Sequence, residues 1–247
     1  MLIHPVIDKL KALKLQGMAE AAKDQLNNLE YKSLSFEERL GLLVDVESVE
    51  RENRRLKTRL KKAKFRQNGS MQDIDYSASR GLDKSLLLSF EACQWISSHK
   101  NIIITGATGT GKSFLAEALG HNACLKKFSS QNLRLPTFFN ELTLSKADGS
   151  YLKLLTSLNK FDVLILDDFG LAPLNEEQRR DLLEIVENRY NQRSTIITSQ
   201  LPVSAWHEAI GDATLSDAIL DRLVHNSYRI ELKGDSLRKK LNESALG

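Results

Sequence analysis

The stretch Asn101-Ile-Ile-Ile-Thr-Gly-Ala-Thr-Gly-Thr-Gly-Lys-Ser113 decides the fold of this chain. Its first five residues are an apolar, β-branched run closed by glycine, which predicts a buried strand. The remainder, Gly106-Ala107-Thr108-Gly109-Thr110-Gly111-Lys112-Ser113, is a complete GxxxxGK[ST] motif. Its glycines let the backbone approach a phosphate closely, and a helix starting near Ser113 offers free N–H groups to the charge. In such a loop Lys112 reaches the β- and γ-phosphates, and Ser113 supplies a hydroxyl ligand to Mg²⁺. A glycine-rich turn arising by chance would have no strand before it, no helix after it and no acidic partner downstream.

The acidic partner is Val163-Leu-Ile-Leu-Asp167-Asp168. An apolar strand here delivers Asp167 at its carboxyl end, where a carboxylate holds Mg²⁺, and places Asp168 where a general base for water is needed. The plainer alternative is a strand end closed by two solvated aspartates. Asp167-Asp-Phe-Gly170 also matches a GTPase DxxG, and Asn159-Lys-Phe-Asp162 matches the guanine-reading NKxD. Their order is reversed relative to GTPases, so ATP is the expected nucleotide. Beyond the run Thr195–Thr198, Gln200 is a candidate to sense the γ-phosphate or orient water, against a plain turn-forming role. Arg222 is a candidate to reach a neighbouring subunit's γ-phosphate, against an internal ion pair with Asp221 or Asp217. Arg238, in Gly234-Asp-Ser-Leu-Arg238, is the one late candidate for a nucleotide contact, and too little chain follows Leu232 for a helical lid of usual size.

Short apolar runs recur at Asn101–Thr105, Asn132–Leu135, Val163–Leu166, Thr195–Thr198 and Tyr228–Leu232, with helical patterns between them. That alternation predicts an α/β domain with a parallel sheet covered on both faces. Residues 1–70 read differently, as a small helical domain, so residues 71–247 form the second domain. Ile7, Leu10, Leu13 and Met18 predict one amphipathic helix after Pro5. Ser35 and Glu38 have capping-box spacing. From there Leu42, Val46, Val49, Asn53, Leu56, Leu60 and Ala63 form a narrow seam that predicts a long helix packed like a short coiled coil, ending at Gln67-Asn-Gly-Ser70.

With 41% hydrophobic and 27% charged residues, the 247-residue composition is that of a globular protein. No apolar run has membrane-spanning length, and the start lacks a signal-peptide layout. Two cysteines without metal-ligand spacing fit a reduced, cytoplasmic setting. Charge is concentrated. Residues 51–68 carry nine basic side chains against Glu52 alone, a net +8 in a chain of +3, leaving the rest at −5. Such a strip suits a polyanion, with Arg51, Arg54, Arg55, Arg59, Lys62 and Arg66 as candidate phosphate contacts to a nucleic acid, without base readout. A solvated helix face and a docking strip for a neighbouring subunit are the alternatives. Lys146 and Lys153 are weaker DNA candidates, and Trp95 and Trp206 read as packing residues.

These residues carry a family resemblance. Glu50-Arg-Glu-Asn-Arg-Arg-Leu56, Arg80-Gly-Leu-Asp83, Trp95-Ile96, Asn188-Arg-Tyr190, Arg193-Ser-Thr-Ile-Ile-Thr-Ser199 and Ile219-Leu-Asp-Arg-Leu223, with the phosphate loop, resemble the IstB-like insertion-sequence transposition helper ATPases. That family is similar to DnaC-type helicase loaders of the AAA+ class. The resemblance implies an AAA+ core with strand order 5-1-4-3-2, a reduced or absent lid, and ATP with Mg²⁺ at subunit interfaces. It further implies an ATP-dependent oligomer on duplex DNA and a partner transposase. Arg222 would be the arginine finger and Gln200 the sensor. A helicase loader acting on single strands is the alternative function. Family members often carry Glu where this chain has Asp168, and Asn where it has Gln200.

Overall fold

A computed structural model describes residues 4–67, 69–77 and 80–237. The chain forms two compact units, one up to Thr58 and one from Arg59 onward.

The first unit holds helices α1 (His4–Ala12), α2 (Gln16–Asn27) and most of α3 (Phe36–Ala63). The single amphipathic helix expected after Pro5 is broken. Lys14 takes φ +60°, and Leu15 and Lys14 donate their N–H groups to the carbonyls of Leu10 and Lys11. This is a Schellman stop, so Leu13 ends up 68% exposed instead of continuing a buried stripe. The capping box at the head of α3 forms as expected: Ser35 N–H donates to Glu38 Oε2 at 2.7 Å, and Glu38 N–H to Ser35 Oγ at 3.2 Å. Its seam is open over the first part and covered toward the end, where Leu56 and Leu60 are partly buried and Ala63 is buried. Leu42, Val46 and Val49 are each more than 40% exposed. The 28-residue α3 is about 42 Å long, far longer than α1 or α2. Contact with α2 is instead local: Gly17 sits against the Val46–Glu47 backbone, and Met18 N–H donates to Glu47 Oε2 at 3.2 Å.

The second unit is a three-layer α/β domain. Strands β1 (Asn101–Gly106), β2 (Ser130–Arg134), β3 (Val163–Phe169), β4 (Ser194–Ser199) and β5 (Ser227–Leu232) form one parallel sheet in the order β5-β1-β4-β3-β2. This is the order implied by the AAA+ resemblance. Strand side chains alternate between two cores, as the pleat requires. Ile102, Ile104, Ile165 and Ile196 pack with α4 (Lys84–Glu91), α5 (Gln94–Ser97) and α6 (Lys112–Leu125) on one face. Ile103, Leu164, Leu166 and Ile197 pack on the other with α7 (Leu135–Ala147), α8 (Tyr151–Leu158), α9 (Glu176–Arg189), α10 (Trp206–Ile210) and α11 (Ala213–Val224). Burial on both faces is why these strands read as continuous apolar runs. Leu135, expected in a strand, instead begins α7, because Pro136 favours a helix start. Trp95 and Trp206 are buried packing residues, the latter tilted on Phe169 with ring centroids 4.4 Å apart.

α3 ends at Ala63, ahead of the expected stop, with Lys64 at φ +54°. The division between the two compact units falls inside this helix, after Thr58. Past Thr58 the chain is already tied to α6. Arg59 Nε donates to the Cys124 carbonyl at 3.0 Å, and the Arg66 and Gln67 N–H groups donate to the Glu117 carboxylate at 3.1 and 2.8 Å.

Candidate nucleotide site

The site forms at the carboxyl edge of the sheet, where β1 turns into α6. The turn is tight against β5: a Cβ on Gly106 would lie 2.3 Å from the Leu232 carbonyl, so no other residue fits. Gly111 caps α6 at φ +89°, the left-handed region that glycine enters without steric cost. Thr110 is buried and closes the loop on itself, its Oγ1 donating to the Ala107 carbonyl at 2.8 Å. The Lys112 ammonium also donates to that carbonyl at 2.8 Å. Thr108, Gly109, Gly111, Lys112 and Ser113 line one cavity together with Arg134, Asp168 and Gln200. Strand order explains the grouping, since β4 lies between β1 and β3 and brings Gln200 beside the loop. Thr108 Oγ1 donates to Gln200 Oε1 at 2.8 Å.

Ser113 Oγ donates to Asp167 Oδ1 at 2.8 Å, and Thr198 Oγ1 donates to the same oxygen. Asp167 is buried at 4% exposure. A hydroxyl and a carboxylate at this separation are hard oxygen donors of the kind Mg²⁺ takes. The pair therefore fits that ion, with Ser113 and Asp167 as the residues that would hold it.

Asp168 is placed by a bulge. The β3–β4 register slips between Leu166 and Phe169, and Asp168 adopts φ +64°. Consecutive strand residues normally point to opposite faces, and a bulge re-aims one of them. Aspartate tolerates left-handed backbone better than most residues, a physical reason for Asp at this position. Its N–H donates to Thr198 Oγ1 at 3.1 Å, and its Oδ2 accepts from Arg134 Nε at 2.7 Å. That hydrogen bond, reinforced by the carboxylate charge, raises the Arg134 pKa above its ordinary value. Arg134 and Thr198 belong to no local sequence motif for the site. Their signal lay only in strand order, which sets Arg134 level with Asp167 across β2 and β3.

Arg222 lies elsewhere. Its carbonyl accepts from Asn101 Nδ2 at 3.1 Å, at the first residue of β1. The phosphate loop begins five residues on, about 16 Å along the strand. The Arg222 guanidinium pairs with Glu187 of α9 and donates to the Ala218 carbonyl at 2.8 Å, and it sits 5.9 Å from the Tyr190 ring centroid. The expected internal partners, Asp221 and Asp217, are not the ones used. Arg238 lies outside the described residues. Just before it, Leu237 N–H donates to the Gly109 carbonyl at 3.0 Å, so the segment after β5 returns to the phosphate loop.

Among the candidate DNA contacts, Arg51 and Arg54 turn onto Glu47, at 2.7 and 3.3 Å. Arg59 is partly engaged by the Cys124 carbonyl, whereas Arg55, Lys62 and Arg66 are exposed, as are Lys57, Lys61 and Lys64. Lys146 is committed to Glu177 and Asp181 at 2.8 and 2.7 Å. Burial pushes both thiols, Cys93 and Cys124, up to about 11, leaving them unreactive at neutral pH.

Together the sheet order, the loop and the Ser113–Asp167 pair define a P-loop nucleotide-binding protein of the AAA+ class. The chain belongs to the family of IstB-like ATP binding proteins, whose model matches residues 8–245. A Sinorhizobium fredii protein described as an insertion sequence ATP-binding protein is 52% identical over 97% of this chain and 98% of its own length. A second, from insertion sequence IS1162 of Pseudomonas fluorescens, is 43% identical over 83% of this chain and 89% of its own. Among solved structures, DnaI aligns with TM-score 0.58 at 21% identity, over 67% of this chain and 92% of its own. The DnaC helicase loader aligns at 0.56 and 22%, over 67% and 97%. At those identities the structures attest the fold alone. Among the described residues no helix is long and apolar enough to cross a membrane.

Proposed function

We propose that this chain is an ATP-hydrolysing helper of transposition, which assembles on duplex DNA when ATP and Mg²⁺ are bound and recruits or activates a partner transposase. The insertion-sequence relatives support the setting, and the exposed basic side chains of α3 and its continuation support the polyanionic partner. Lys112 and the first turn of α6 would hold the β- and γ-phosphates, with Gly106 through Ser113 wrapping them. Ser113 and Asp167 would hold Mg²⁺, Gln200 would orient water or sense the γ-phosphate, and Asp168 would take the proton from water. Arg134 now occupies Asp168, so that ion pair would have to loosen before the carboxylate acts as a base.

The observation that carries the oligomeric reading is the position of Arg222. It sits at the amino edge of the sheet, whereas its own phosphate loop lies at the carboxyl edge. An arginine there would serve a neighbouring copy, an effect worth roughly 10³–10⁵ in rate. Mixing two inactive variants tests this. Lys112→Ala retains the arginine and lacks a working loop; Arg222→Ala is its converse. Arg222→Ala alone should bind ATP normally and lose turnover. Mixed with Lys112→Ala it should regain turnover, since one copy then supplies what the other lacks. Normal hydrolysis by Arg222→Ala alone would rule out the shared site.

A further inference from the structure

Arg80-Gly-Leu-Asp83 lies immediately before α4, and its two charged residues have different tasks. Asp83 caps α4, accepting from the N–H groups of Ser85 and Leu86 at 2.8 and 3.2 Å. Arg80 is 7% exposed and faces the phosphate loop: its Nη2 donates to the Thr110 carbonyl at 2.5 Å. A buried cation is costly unless its donors are satisfied. Asp75 lies 3.9 Å from Nη1 and is itself half-exposed, and Nε has no hydrogen-bond partner among the described residues. The charge is thus buried against loop backbone with weak carboxylate compensation. The Arg80 backbone is separately anchored, its carbonyl accepting from Lys233 N–H at 3.0 Å just beyond β5.

The Thr110–Gly111 peptide is planar and trans, so holding its carbonyl on Arg80 turns the Gly111 N–H the opposite way. Arg80 lies on one side of Gly111, 3.1 Å from where a Cβ would stand. Gly111 also lines the cavity shared by Lys112, Ser113 and Asp168. We propose that Arg80 is a positioning residue for nucleotide binding, whose guanidinium holds the Thr110–Gly111 peptide with its N–H toward the polyphosphate. This rests on the reading of the loop as the ATP site. Arg80 acts on the phosphates through the loop and leaves the adenosine part untouched.

The test compares wild type with Arg80→Met, which keeps length without a donor, and Arg80→Gln, which restores a donor without charge. Each is titrated with ATP and with adenosine, and melted without nucleotide. Arg80→Met should weaken ATP binding about 10- to 100-fold, the range a charge-assisted hydrogen bond supports. Its adenosine binding and nucleotide-free melting should match wild type, and Arg80→Gln should recover part of the loss. ATP binding by Arg80→Met as tight as wild type would overturn the proposal. So would an equal loss of ATP and adenosine with early melting, which would mark a staple of the fold. Failure of wild type itself to bind ATP would remove the underlying site reading as well. If neither variant folds, ¹⁵N-arginine spectra of the wild type decide: the Arg80 Nη signal should shift with ATP and not with adenosine, and no shift contradicts the proposal.

Discussion

Asp168 shows how a single dihedral shapes a site. Its left-handed φ and the slipped β3–β4 register aim the carboxylate at Arg134, while Asp167 one residue earlier points to Ser113. Asparagine tolerates the same backbone region, so Asp168→Asn isolates the charge from the bulge. We expect it to fold and bind ATP as wild type does, with turnover reduced about 10²- to 10⁴-fold, the range of a lost general base. Parallel binding and single-turnover measurements check this, and unchanged turnover would remove Asp168 from the reaction. At this scale the sequence was most legible for Lys112, Ser113 and Asp167, because the loop and the strand-end acid each name their chemistry by spacing. Arg134 and Arg80 were not legible. Each gains meaning from a partner thirty or more residues away, which no local pattern encodes.

Among elements, the five strands were readable because burial on both faces forces unbroken apolar runs. The N-terminal helices were less so. A periodic pattern shows which residues share a face and says nothing about whether a neighbour covers it, and the α3 seam is open at Leu42, Val46 and Val49 yet buried at Ala63. A Schellman stop at Lys14 has no glycine to announce it. What α2 and α3 do share is a close crossing at Gly17, where a Cβ would lie 2.8 Å from the Glu47 Cα and 2.9 Å from the Val46 carbonyl. Gly17→Val forces backbone apart there. We expect it to destabilise the N-terminal unit by about 1–3 kcal/mol, seen as a lower melting transition with ATP affinity unchanged. An unaltered melt would show that the crossing is loose.

For the whole molecule, the charge distribution and the placement of Arg222 point the same way. In the proposed reading, basic side chains on α3 and just past it would offer a sequence-tolerant phosphate surface, and Arg222 and the phosphate loop, at opposite edges of one sheet, would be complementary between copies. ATP binding would then promote assembly, and assembly would multiply the phosphate contacts. The most direct measurement is anisotropy of labelled duplex and single-stranded DNA against protein concentration, with ATP, ADP or no nucleotide, at several salt concentrations. The account predicts cooperative, ATP-dependent binding that favours duplex, with log affinity falling against log salt by about 0.9 per phosphate neutralised. Preference for single strands, or binding indifferent to ATP, would contradict it.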